Sequence, residues 1–125
     1  MPRTPLRFVF FGVGLALGGV VPCSHGESTG PRRVEVVASR YAFTPAVIEA
    51  RRGEAIELVL RSADTTHGLA IKRYGLKVAI PKGGDRVSVL FVADEPGRFP
   101  IECSEYCGSG HKRMRGELVV VEAGR

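Results

Sequence analysis

Two thiols, an imidazole and a thioether fall within the twelve-residue run Cys103-Ser104-Glu105-Tyr106-Cys107-Gly108-Ser109-Gly110-His111-Lys112-Arg113-Met114. The spacing is C-x3-C-x3-H-x2-M. Soft sulfur and borderline nitrogen donors suit copper better than calcium, magnesium or manganese, which take oxygen. Three other chemistries compete for the same residues. A Cys103–Cys107 disulfide is natural in an exported protein. Zinc takes Cys and His, but structural zinc sites match one Cys-x2–4-Cys pair with a similar second pair. Here the second half is His111 with Met114, and thioether sulfur is a copper donor rather than a usual zinc ligand. A catalytic thiol is the third; two thiols in one loop with His and Met downstream fit a metal better. A copper site with one imidazole is short of donors. His67, in Asp64-Thr65-Thr66-His67-Gly68-Leu69, is the other histidine outside the N-terminal region that holds His25.

These residues need a rigid support, and the apolar pattern supplies one. Val34, Val36 and Ala38 alternate with polar neighbours, as do Ile56, Leu58 and Leu60. That period of two marks half-buried strands. Further short strands are expected at His67–Ile71, Lys77–Ile80, Arg86–Val92, Gly97–Glu102 and Glu117–Glu122. Between them stand the turn signals Arg52-Gly53, Lys82-Gly83-Gly84, Glu95-Pro96-Gly97 and Gly108 to Gly110. No window outside the N-terminal segment has a helical period of helical length. Short strands at this spacing indicate an all-β sandwich or barrel. Phe43, Val47, Ile48, Phe91 and Phe99 are expected to pack between its sheets. The two thiols, His111 and Met114 then lie on one turn between two strands, where a scaffold usually holds a site.

Upstream, Arg3 and Arg7 precede an apolar or glycine run of fourteen residues, Phe8 to Val21, with small residues after it. This is the pattern of an export signal. The run is short for a membrane span of ~20 residues. Residues 1–26 are therefore expected to be a signal peptide or short anchor, residues 27–33 a linker, and residues 34–125 the folded domain. Cys23 is a candidate lipid-attachment residue, although Pro22 before it is a poor fit to such a site. From Glu27 onward sixteen Lys and Arg face thirteen Asp and Glu, a net charge of +3. The charges are interspersed, with no basic run or aromatic interleaving, so nucleic-acid binding has no support.

The loop resembles the CuA site of cytochrome c oxidase subunit II, whose pattern is C-S-E-x-C-G-x-x-H-x-x-M with an upstream His. Phe43-Thr44-Pro45 with Ile48 and Gly53, His67-Gly68, and Gly97 to Ile101 extend the resemblance to a cupredoxin-like Greek-key fold over about Val34 to Val121. The resemblance implies two coppers bridged by the sulfurs of Cys103 and Cys107. It implies that His67 and the weak ligand Met114 complete one copper, and His111 with the backbone carbonyl of Glu105 the other. A cytochrome c type donor, a haem–copper oxidase acceptor, membrane association through the N-terminus and a periplasmic or outer-face location are implied with them. No catalysis is expected from this chain alone. An exported copper-binding protein for delivery, storage or sensing would use the same ligands without a redox partner. Nitrous oxide reductase carries a similar centre, but the chain is too short for that enzyme's other domain. Three features depart from the oxidase subunit: the apolar run is short, the domain is basic, and no Trp is present. Among Tyr41, Tyr74 and Tyr106, the last lies inside the loop and is the best aromatic substitute.

Overall fold

In the computed structural model residues 30–124 are described, together with residues 12, 14 and 18–20. Most of the expected leader, including Cys23, and linker positions 27–29 lie outside the described residues. Among the described residues no helix is long and apolar enough to cross a membrane.

Nine strands form two sheets. They are β1 (Arg32–Ser39), β2 (Ala42–Thr44), β3 (Val47–Arg51), β4 (Glu54–Ser62), β5 (His67–Ile71), β6 (Leu76–Ile80), β7 (Val87–Ala93), β8 (Gly97–Glu102) and β9 (Arg115–Val121). One sheet has the order β2-β1-β4-β7 and the other β3-β9-β8-β5-β6. Single 3-10 turns occupy Lys72–Tyr74 and His111–Arg113. This is the expected all-β cupredoxin-like sandwich.

The core lies between the sheets. Ile56, Leu58 and Leu60 of β4 are fully buried, and Leu69, Ile71, Ile101 and Leu118 face them from the other sheet with at most 1% exposure. Each such side chain contributes about 1.5–3 kcal/mol on burial. Phe43, Ile48 and Phe91 are buried as expected. Phe99 is half-buried and meets the Tyr74 ring edge-on at 5.6 Å.

Val47 corrects an expectation. It is 50% exposed, whereas Ile48 and Ala50 are buried. Adjacent residues of a strand point to opposite faces, so Val47 and Ile48 cannot both enter the core. β1 also starts earlier than the charge pattern suggests. Arg32 and Arg33 pair in parallel register with Ile56 and Glu57 of β4. Their side chains point to solvent and meet Glu54 and Glu57, so no apolar alternation reveals them.

Candidate metal centre

The loop with the chemistry is clasped at its base. β8 and β9 pair from Gly97↔Val120 to Glu102↔Arg115, and the Cys103 N–H donates to the Met114 carbonyl at 3.3 Å. The first and last donor residues therefore leave the sheet side by side. Gly108 turns the chain with φ 135°, a conformation that other residues rarely adopt. The 3-10 turn that follows is held by His111 N–H to Gly108 O at 3.1 Å and Met114 N–H to His111 O at 3.2 Å. Residues three apart eclipse in such a turn, so His111 and Met114 face the same way.

His67 arrives from β5, whose Ala70 pairs with Glu102 of β8. Its neighbour Gly68 lets the loop lie flat on that strand. A Cβ there would stand 3.0 Å from Glu105 N and collide with Ser104 Oγ. His67 is fully buried. Its Nε2 lies 2.6 Å from Asp64 Oδ1, and its Nδ1 is turned towards Cys103 Sγ at 4.0 Å. With Nε2 donating to the carboxylate, the Nδ1 lone pair is directed into the cluster. Metal-binding histidines are commonly fixed in this way. Burial pushes the Asp64 carboxyl up, but hydrogen bonds from Arg40 N–H, His67 and Thr65 N–H outweigh it and hold the group at about 2.

The six residues expected at the site come together. The Cys103 and Cys107 sulfurs are 3.8 Å apart, far beyond a disulfide bond of about 2 Å, and both cysteines are free and buried. Cys103 Sγ is 3.2 Å from the Glu105 carbonyl oxygen. Cys107 Sγ is 3.7 Å from His111 Nδ1 and 3.8 Å from Met114 Sδ. The Glu105 side chain is exposed, so only its main chain faces the cluster. His67, Cys103 and Cys107 place their donor atoms within 4.8 Å of one another. Burial, with the Cys103 hydrogen bond and charge behind it, pushes the Cys107 thiol up to about 11, so a metal must displace its proton on binding. Two imidazole nitrogens, two thiols, a thioether and a carbonyl oxygen make a predominantly soft set, and it fits copper.

Residues from the turn after β1 brace this cluster, and sequence reasoning missed their role. Arg40 Nε donates to the Cys107 carbonyl at 3.1 Å, and Arg40 N–H donates to Asp64 Oδ2 at 2.8 Å. The Tyr41 ring covers Gly108 and Gly110. A Cβ on Gly108 would reach the Tyr41 hydroxyl at 2.5 Å, and one on Gly110 would reach Tyr41 Cε2 at 2.7 Å. One turn thus ties the cysteine loop to the Asp64–His67 pair. Asp64, three residues before His67, is a local signal that sequence could have offered. Arg40 and Tyr41 lie more than sixty residues from the loop and offered none.

Comparison with known proteins agrees with this architecture. Residues 13–120 match the family model of the cupredoxin-like domain. Two cytochrome c oxidase subunit 2 sequences of Thermus thermophilus are each 33% identical over 103 residues, 81% of this chain. The chain spans 76% of the length of one and 61% of the other. A chain of a heme-copper terminal oxidase dimer superposes with a TM-score of 0.66 and 25% identity, covering 82% of this chain and 75% of that one. The chain belongs to the cupredoxin-like domain family and, within it, with the CuA-type domains of cytochrome c oxidase subunit 2.

Proposed function

We propose that His67, Cys103, the carbonyl of Glu105, Cys107, His111 and Met114 hold two copper ions, and that the chain is an exported electron-transfer protein. It serves as a subunit II-like component that takes electrons from a cytochrome c type donor and passes them to a haem–copper partner. The carrying observation is the paired arrangement of free sulfurs and imidazoles: Cys103 with His67 Nδ1 at 4.0 Å, Cys107 with His111 Nδ1 at 3.7 Å. Bound copper supplies one-electron redox chemistry, and two bridging sulfurs spread the charge change over both ions.

The protein contributes rigidity and exclusion of water. Cys103, Cys107, Met114 and His67 are buried, and the clasp between Cys103 and Met114 fixes the loop ends. Donors held in place before and after an electron moves keep the reorganisation small. Asp64 orients His67 and raises its basicity, a role outer hydrogen bonds play at metal sites. A closed, buried donor set favours retention of metal over release, which supports electron transfer over storage or delivery. The N-terminal signal pattern supports export to the periplasm or the outer membrane face. Titration of the reduced full chain with copper tests the reading. Two ions should bind per chain, and Cys107→Ser should abolish that stoichiometry. Saturation of the unaltered chain at one ion, or stronger zinc than copper binding, would contradict it.

A further inference from the structure

Of the five side chains in the donor set, His111 alone is not buried. It is therefore the shortest way from the cluster to solvent. Tyr106 stands over that exit. Its side chain is 78% exposed, and its ring lies 5.7 Å from the His111 ring at a 55° tilt. An exposed tyrosine beside such an exit is a rigid amphipathic contact of the kind protein interfaces use as anchors.

The charge around it has a sign. Lys112 and Arg113 follow His111 directly, both are exposed, and neither has an ion-pair partner among the described residues. Arg40, also exposed, adds a third cation through its bond to the Cys107 carbonyl. Glu105 is the opposing acid within the loop, and Asp64 is engaged by His67. Lys72 and Arg115 nearby are paired with Glu102 at 3.1 and 2.7 Å and contribute little net field.

We infer that Tyr106, with Lys112, Arg113 and Arg40 on its rim, is the docking surface for a redox protein with an acidic face. This rests on the electron-transfer reading above. The exchange moves one electron from the partner's reduced cofactor to the copper site, with no bond or proton transferred. The unpaired cations steer an acidic surface and repel a basic one, and the aromatic centre supplies contact once the water is expelled.

Binding is measured calorimetrically on the full chain, metal-free and copper-loaded, so it is independent of redox activity. The probes are a small c-type cytochrome of acidic isoelectric point, one of basic isoelectric point, and phosphatidylglycerol vesicles. The acidic cytochrome should bind more tightly than the basic one, and less tightly as salt rises to about 0.15 M, where the screening length is ~8 Å. The double variant Lys112→Glu/Arg113→Glu should lose about tenfold or more in affinity, within the range electrostatic steering spans. Tyr106→Ala should lose about fivefold or more, the loss expected of an interface anchor. Arg52→Glu, at the far end of the sandwich, should change affinity less than about twofold, as a distant rim charge does. Tighter binding of the basic cytochrome, equal effects of the double variant and Arg52→Glu, or capture by vesicles without cytochrome binding would each overturn the inference. The metal-free arm separates its failure from that of the two-copper reading, which is judged on copper stoichiometry.

Discussion

Replacing Asp64 by Ala tests whether its carboxylate positions the centre. Three hydrogen bonds are lost: from His67 Nε2–H at 2.6 Å, Arg40 N–H at 2.8 Å and Thr65 N–H at 2.6 Å. Arg40 and the region of Asp64 are exposed, so the two backbone donors can turn to water at small cost. His67 is fully buried, and its Nε2–H has no such substitute. Leaving a buried donor unsatisfied costs about 1–3 kcal/mol. In a domain of this size a loss of about 2 kcal/mol lowers Tm by roughly 8–16 °C. Loss of an outer-shell partner should separately weaken copper binding by about 10–100-fold. Thermal unfolding of the metal-free full chain reads the first effect, and competition with a copper chelator reads the second. Asp64→Asn keeps an acceptor for His67 and should show a smaller loss on both. If Asp64→Ala left both Tm and copper affinity unchanged, the carboxylate would not orient His67.

Other expectations follow from the same contacts. The Asp64 carboxyl is lowered from its ordinary 3.8 to about 2, so its contribution to stability is fully present above about pH 4 and lost as pH falls through about 2. Denaturant unfolding of the metal-free chain between these limits should show a steeper acid loss than Asp64→Asn, and equal slopes would refute that. Gly110→Ala should destabilise by about 1–3 kcal/mol through overpacking, because its Cβ meets the Tyr41 ring. The same change in a Tyr41→Ala background should cost much less; an additive double-mutant cycle would disconnect ring and loop. Met114→Leu should keep two coppers and shift the reduction potential measured by spectroelectrochemistry. Loss of copper would show Met114 to be more than a weak ligand.

The ligand loop was legible because its donors are close in sequence and their spacing is chemically restrictive. His67 was reachable by elimination, since a second imidazole was needed and few histidines exist. The brace was not legible. Arg40 and Tyr41 act through a backbone carbonyl and through space left by two glycines, and neither contact leaves a periodic or compositional trace. The strands showed the same division. Ile56, Leu58 and Leu60 announce β4 by alternation, whereas β2 is only three residues long and carries one buried side chain. Val47 and Ile48 were both read as core because apolar character was weighed without strand phase. The parallel pairings of β1 with β4 and β3 with β9 join segments distant in sequence, where local pattern carries no information about partners.

The central claim is that two free thiols 3.8 Å apart bridge a pair of coppers. Electron paramagnetic resonance of the copper-loaded, partly oxidised full chain tests it most directly. The account predicts one unpaired electron with hyperfine coupling shared equally by two copper nuclei. Coupling to a single copper nucleus would contradict it.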